Sequence, residues 1–354
     1  MRPLLNDCFF SAIVVACAVP VAVSTAPAQD AAKERAAAKD LRAPRFPELS
    51  NLEAWIQLPK AEEGVGEELP AWARVLSGSL PMTTSRMLEL DWLHREKSPL
   101  EPKLRGKLRW TVAKANRCDY ALAYAEADLK RVGLTPSEIE GLAAASASND
   151  AKETAAIDFV RKLTLAGDTV TDEEVARLVE LYGEKQLVAI VLLVAHGNFQ
   201  DRLFLSLGIR LSPNEPLAPV KVRFARGLAG QATNVPKREI PPQTPPAASE
   251  EKISDARWLA LDVPALKQKM QAQQSRPGRI RVPTWEEVTQ GAPDEIRKRP
   301  PVKIRWSLVC RGYQPELADG WGACMGTFGE EAQQDRVFEE SLFWVITREI
   351  NCFY

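Results

Sequence analysis

Apolar residues recur every three to four positions between residues 85 and 208, which is the period of amphipathic helices. The pattern predicts helices around residues 88–93, 104–115, 157–166 and 187–207, the last being the most apolar. Gly167 and Gly208 follow two of these helices, and glycine is typical of helix ends. We therefore predict that this part of the chain is all-α.

Two helix starts are marked by capping sequences. Thr135 is followed by Pro136 and Glu138, which supply a cap hydroxyl, a first-turn proline and a carboxylate that returns a hydrogen bond to the cap. Thr171 and Glu174 repeat the arrangement of hydroxyl and carboxylate. Both starts support a helical domain over residues 81–210.

The segments on either side of this domain differ in composition. Residues 1–28 have the layout of a signal peptide. Residues 29–80 form an N-terminal lead-in, and we predict no core for its charged part, residues 31–43. Five prolines and no apolar period between Pro236 and Glu250 predict an extended linker, which we assign to residues 211–250. Residues 251–354 follow the linker.

The N-terminus predicts export to the periplasm or the cell exterior. An apolar stretch from Cys8 to Val23 contains Pro20 and is short for a permanent membrane span. The alternatives are an uncleaved anchor and a lipoprotein attached at Cys17, although apolar sequence continues beyond Cys17. We expect no stable membrane span in the mature chain, because no later stretch is long and apolar enough.

Part of the chain repeats after 234 residues. Residues 72–120, aligned without gaps to residues 306–354, contain nine identities in 49 positions. In the first copy these identities are Trp72, Val75, Gly78, Pro81, Glu96, Leu108, Trp110, Cys118 and Tyr120. Because rare tryptophan and cysteine are among them, we interpret the pattern as a duplication with a truncated second copy in residues 251–354.

Composition and charge exclude several functions. With 45% hydrophobic and 26% charged residues, the chain is an ordinary globular protein. A formal net charge of −1 gives no field for sequence-independent nucleic-acid binding. Two histidines, His94 and His196, are too few for a multi-histidine metal site. We predict no metal or organic cofactor, since the sequence has no CxxCH motif and no glycine-rich phosphate loop.

The segment from Leu108 to Ala143 resembles the central helix pair of the carboxymuconolactone decarboxylase and alkylhydroperoxidase D-like family, and the resemblance extends from about Pro81 to Ile209. In that family a Cys-x-x-Cys-x-x-x-His motif opens a helix, and in the peroxidase members a glutamate stands twelve residues before the first cysteine. The resemblance implies an alkylhydroperoxidase D-like helical bundle, here as a tandem repeat with an incomplete second copy.

The physical logic of that motif identifies the residues to examine. A thiol at a helix N-terminus has a lowered pKa, a second cysteine on the same face closes a disulfide, and histidine moves the proton. In the first copy the glutamate, the two cysteines and the histidine correspond to Gly106, Cys118, Ala121 and Ala125. Cys118 therefore has no second thiol and no base within the motif. The alternative to a catalytic role is that Cys118 is a small apolar residue packed between helices.

The second copy retains more of the pattern, because Glu340 stands twelve residues before Cys352. The second cysteine and the histidine would fall beyond Tyr354. If the sequence is a fragment, we expect the second copy to be the active one; otherwise its proton relay is broken. The candidate catalytic residues are Cys352 and Glu340, with Cys118 as a weaker candidate.

Three other features have a functional and a structural interpretation. His196, in an apolar helix, would replace the base missing at Ala125 or serve as a core residue. His94 lies in a basic segment and is likewise either a functional residue or a structural one. A cluster of cations would attract an anionic substrate or form a solvated helix face; its members are Lys103, Arg105, Lys107, Arg109, Lys114 and Arg117.

The family resemblance implies thiol-dependent peroxidase activity of the peroxiredoxin type, an antioxidant function, with a dithiol protein as reductant. The alternative is a non-catalytic helical module for oligomerisation or partner binding, and we expect a homo-oligomer because the family commonly forms trimers or hexamers. A third possibility is decarboxylation of a lactone, which needs no thiol pair but lacks the expected histidine at Ala125.

Overall fold

The computed structural model describes residues 46–143, 150–225, 262–291, 294–298, 300–302, 304–332 and 335–349. All of them belong to one unit that spans Pro44–Tyr354. The predicted signal peptide, the charged lead-in, the proline-rich stretch and Cys352 lie outside the described residues.

The N-terminal part consists of helices and one pair of short strands. Its elements are α1 (Asn51–Gln57), β1 (Ala61–Glu63), α2 (Ala71–Leu76), α3 (Pro81–Glu96), α4 (Pro102–Ala115), α5 (Asp119–Arg131), α6 (Pro136–Gly141), α7 (Ala151–Ala166), α8 (Asp172–Leu207) and β2 (Arg223–Phe224). The C-terminal part contains α9 (Val263–Ser275), α10 (Trp285–Val288), α11 (Asp294–Arg297), α12 (Arg305–Tyr313), α13 (Pro315–Ala332) and α14 (Arg336–Glu349). The predicted all-α class is confirmed. Among the described residues, no helix has the length and apolarity needed to cross a membrane.

Both predicted capping sequences begin helices. Glu138 donates its backbone N–H to the Thr135 hydroxyl at 3.3 Å, and the Glu138 carboxylate accepts from the Thr135 backbone at 2.8 Å. Thr171 and Glu174 form the same reciprocal pair at the start of α8. These local signals act within one helical turn, which is why the sequence alone could identify them.

Helix α8 is longer than the apolar run predicted. It extends from the Thr171 cap to Gly208, which adopts the left-handed conformation that ends the helix. The interior residue Gly183 has φ 73° and ψ 162°, a conformation that glycine tolerates without steric cost. The cap and the apolar run, which appeared as separate helices in the sequence, are therefore two parts of one kinked element.

The larger of two hydrophobic clusters lies between α4, α5, α7 and α8. Leu108, Val112, Leu129, Ile157 and Ile190 are each at most 1% exposed within it. Burial of one such side chain contributes roughly 1.5–3 kcal/mol of hydrophobic free energy. This cluster fixes α4 and α5, which carry the motif positions, against the long helix α8.

The second cluster differs from the sequence expectation. It includes Leu69 and Trp72, which lie between the charged lead-in and the predicted helical domain, and Phe224, in the segment assigned to the linker. Leu69 and Phe224 are 0% and 1% exposed. Strand pairing between Ala61 and Phe224 joins the two segments. Contacts between residues so far apart in the chain leave no periodic signal in the sequence.

Three C-terminal helices begin at the positions that the 234-residue repeat predicts from three N-terminal helices. Helices α12, α13 and α14 begin at Arg305, Pro315 and Arg336, each 234 residues after the first residues of α2, α3 and α4. Helix α13 packs along α3. Its Glu331 carboxylate accepts hydrogen bonds from the backbone N–H groups of Met82 and Thr83 at 2.9 and 2.7 Å, and so caps the start of α3.

Candidate functional site

A cavity of about 210 Å³ lies between α3, α4, α5 and α8. Gly106, Ala121 and Ala125 line it, and they are three of the four motif positions. The small side chains of Ala121 and Ala125 leave space where the family pattern has cysteine and histidine, whereas a Cβ at Gly106, the glutamate position, would lie 2.8 Å from Leu129 Cδ2. Cys118, the fourth position, lies outside the cavity lining.

Two imidazoles line the same cavity. His94 extends from α3 and His196 from α8, and their rings stack with centroids 4.2 Å apart and planes 11° from parallel. Each histidine is 3% exposed. The base missing at Ala125 is thus matched by imidazoles that come from other helices into the same space.

Asp91 organises this pair from the α3 side. Its Oδ1 lies 3.5 Å from His196 Nε2 and accepts a hydrogen bond from Gln200 Nε2 at 3.2 Å. Its Oδ2 accepts from Arg95 Nε at 3.3 Å. A proton on His196 Nε2 satisfies this contact and makes Nδ1 the acceptor, and Nδ1 has no hydrogen-bond partner among the described residues.

Burial controls the charge state of the imidazoles. Burial and then the facing His196 ring hold the pKa of His94 well below its usual value. Burial also lowers the pKa of His196, against the opposing hydrogen bond to Asp91. For Asp91, burial favours the neutral acid, but Arg95 and His196 outweigh it and hold the pKa far below the usual range. The site therefore combines two neutral imidazoles with an ionised carboxylate at pH 7.

The cavity has one arginine without a carboxylate partner in the described part of the chain. The other arginines of the wall form ion pairs: Arg95 and Arg131 with Asp128, and Arg109 with Asp201. Arg105 donates instead to the carbonyl oxygen of Arg95 at 2.9 Å. Burial and then Arg95 lower the pKa of Arg105. An anion beside Arg105 would relieve this unbalanced charge.

The predicted nucleophile Cys118 has unfavourable surroundings for thiol chemistry. It precedes α5, as predicted, but it is 1% exposed in the second hydrophobic cluster. Burial raises the pKa of its thiol to about 11. Here desolvation outweighs the helix N-terminus, since a reactive thiol needs a lowered pKa and access. These properties favour the structural alternative for Cys118.

The other predicted site residues are not brought to the cavity. Glu340 lies exposed on α14, and Cys352 is outside the described residues, so their roles stay predictions. Cys310 and Cys324 are free thiols. Among the described residues, no group of three or more His, Cys, Asp or Glu is arranged to hold a metal ion.

The cation cluster of α4 is only partly solvated. Lys114 and Arg117 are exposed, as the solvated-face interpretation predicts. That interpretation is wrong for Arg109, which is 16% exposed and pairs with the fully buried Asp201 through Nη2–Oδ1 at 2.5 Å. It is also wrong for Lys107, which pairs with Glu153.

The helices around the cavity also agree with a known family. Residues 81–162 match the carboxymuconolactone decarboxylase family. This match confirms the family resemblance stated from the sequence, for the segment from α3 to most of α7. No curated protein matches the chain.

The carboxymuconolactone decarboxylase segment carries only part of the imidazole site. Asp91, His94 and Arg105 lie inside residues 81–162, whereas His196 and Gln200 lie on α8 beyond it. Sequence reasoning named both histidines but missed Asp91 and Gln200. Their only sequence signal is helical spacing, since Asp91 precedes His94 by three residues and His196 precedes Gln200 by four.

Proposed function

We propose that the cavity binds a small organic carboxylate and that the imidazole site transfers a proton to or from it. The observation that carries this proposal is the pair of buried histidines beside the ionised Asp91. A neutral imidazole accepts a proton, and an adjacent carboxylate stabilises the imidazolium that forms. This acid–base function needs no thiol, and it therefore suits a first copy with alanines at two motif positions.

In this proposal His196 is the base and Asp91 orients it. A proton on Nε2, hydrogen-bonded to Asp91, leaves the lone pair of the buried Nδ1 without a partner among the described residues, and a ligand that reaches this atom would transfer its proton there. Arg105 binds the ligand carboxylate, because among the described residues it forms no ion pair with a carboxylate and donates instead to a backbone carbonyl oxygen. The name of the matching family points to the same class of substrate, a lactone carboxylate.

The test follows carboxymuconolactone and pyruvate in D₂O by proton NMR. We expect product formation from the first, or exchange of carbon-bound hydrogen in either. His196→Gln should lower the rate by about 10²–10⁴-fold, the usual contribution of a general base. Arg105→Gln should raise KM, whereas Lys114→Gln, which removes an exposed cation from the same helix, should leave KM unchanged. A His196→Gln variant as fast as wild type would refute the assignment of the base.

A second candidate function is thiol-dependent peroxidase activity in the C-terminal copy. It is supported by the matched starts of α12–α14 and by Glu340, which stands at the position equivalent to Gly106. Met325 and Phe328 occupy the positions of Asp91 and His94, so acid–base chemistry of the imidazole type is restricted to the first copy. Peroxide consumption with a dithiol reductant should depend on both Glu340 and Cys352. No consumption by the full-length protein would refute this candidate.

The non-catalytic alternative is a helical module that forms a homo-oligomer. Helix α14 supports it, because Val337, Phe338 and Phe343 are 74%, 56% and 65% exposed. Light scattering measures the oligomeric state: if α14 forms the interface, wild type should be an oligomer and Phe343→Ser a smaller species. A monomer in both would argue against the module.

We also propose that the chain is exported, on the signal-peptide pattern of residues 1–28. N-terminal sequencing of the protein from its native cells tests this directly. A mature chain that starts near residue 29 supports export, and an intact Met1 in a cytoplasmic fraction contradicts it.

A further inference from the structure

One aromatic side chain of the C-terminal helices contacts both imidazoles. Trp321 of α13 meets the His196 ring at 5.7 Å between centroids and 87° between planes, and the His94 ring at 6.5 Å and 89°. Phe199 of α8 packs on the same indole at 5.7 Å and 65°. The indole thus lies edge-to-face against the stacked imidazole pair.

Helix α13 is held closely against α3 at this point. A Cβ at Gly320 would lie 2.8 Å from Leu93 Cδ1 and 3.2 Å from Leu90 Cδ1. A side chain here would require these two leucines to shift, so Gly320 allows the close approach, and Trp321 is the next residue in the chain. Together with the Glu331 cap of α3, this contact fixes where the indole lies relative to the two histidines.

We propose that Trp321 is a positioning residue of the imidazole site, which keeps His94 and His196 stacked and excludes water from them. The site of the carboxymuconolactone decarboxylase segment is then completed by a helix more than 150 residues further along the chain. The inference concerns the residues of the proposed acid–base function, and it adds a component from outside the matched family segment.

The charged groups around the imidazoles come from α3, the helix of His94, and from α4. Asp91 and Arg95 face them from α3, and Arg105 and Arg109 from α4, while α13 presents the uncharged indole. Loss of the indole would leave these charges in place and admit water beside the rings. Since burial is the largest cause of the lowered histidine pKa values, hydration should raise them.

The experiment uses the fact that the chain has two histidines, so each imidazole can be followed by NMR during a pH titration. In Trp321→Ala we expect the pKa of His94 and His196 to rise by about half a unit or more towards the value for exposed histidine. Trp321→Phe keeps an aromatic ring at this place, so the pKa values of both histidines should stay close to those of wild type. Trp306→Ala, which removes a 60% exposed tryptophan from α12, is the matched control and should have no effect.

Unchanged histidine titrations in a folded Trp321→Ala protein would overturn the inference, as would an equal shift in Trp306→Ala. If Trp321→Ala does not fold, Trp321→Leu against Trp321→Phe makes the same comparison with apolar bulk retained. The result is independent of catalysis. A shifted titration together with an unaffected His196→Gln rate would support the positioning role of Trp321 and reject the proposed function.

Discussion

Acidification should destabilise the fold through His94 and His196. In the unfolded chain both imidazoles bind a proton near pH 6.5, whereas burial holds their pKa values below 6.5 in the folded protein. Below pH 6.5 the unfolded state therefore binds more protons, and the free energy of unfolding falls as the pH falls. Each extra proton changes that free energy by about 1.4 kcal/mol per pH unit. A histidine that stays neutral in the folded state throughout the interval from pH 6.5 to 5 would cost at most about 2 kcal/mol of this free energy. The lowered pKa of the second histidine adds to the loss in the same direction.

Urea unfolding at several pH values between 7.5 and 5 measures this effect. The control is the double variant His94→Gln and His196→Gln, which keeps hydrogen-bonding side chains but cannot titrate. Its free energy of unfolding should change less than that of wild type over the same interval, whatever its absolute stability. Equal pH slopes for the two proteins would show that the folded imidazoles titrate normally, and would refute the reasoning from burial.

Two further predictions concern stability, measured by urea unfolding. Asp201→Ala leaves the Arg109 guanidinium without its fully buried partner and should cost about 3–5 kcal/mol, against less than about 1 kcal/mol for the exposed Asp158→Ala; similar losses would contradict this. Gly64→Ala places a Cβ 2.2 Å from the carbonyl oxygen of Lys221, whereas Gly66→Ala has similar positive φ and open space. Gly64→Ala should therefore cost at least about 1 kcal/mol more, and equal costs would mean that φ alone determines the effect.

The sequence predicted the features that depend on local interactions. The caps at Thr135 and Thr171 and the end of α8 at Gly208 each depend on groups within one or two helical turns. The burial of Leu69 and Phe224 could not be predicted, because it depends on the long-range pairing of Ala61 with Phe224. The continuity of α8 was not predicted either, because its apolar run begins only at Leu187, whereas the helix continues through a bend at Gly183.

The candidate site shows the same division. Motif spacing led to the cavity through Gly106, Ala121 and Ala125, although none of these residues supplies a reactive group. The imidazoles of the proposed acid–base function are His94 and His196, which come from α3 and α8 and meet only in the folded chain. Trp321 could not be inferred, because nothing in the sequence reports that α13 crosses α3 beside His94.

Because α3 and α13 belong to one chain, their contact does not depend on the protein concentration. Equivalent positions of the two helices contact each other in both directions. Glu331 accepts a hydrogen bond from Met82, and Lys97 Nζ lies 3.8 Å from a carboxylate oxygen of Glu316. Residue 316 is 234 positions after residue 82, and residue 331 is 234 positions after residue 97. Two such surfaces on separate chains would need an association step. On one chain they meet at an effective concentration of about millimolar, set by the tether rather than by the amount of protein. Trp321 therefore reaches the histidines at any protein concentration, however rare the molecule is in its compartment.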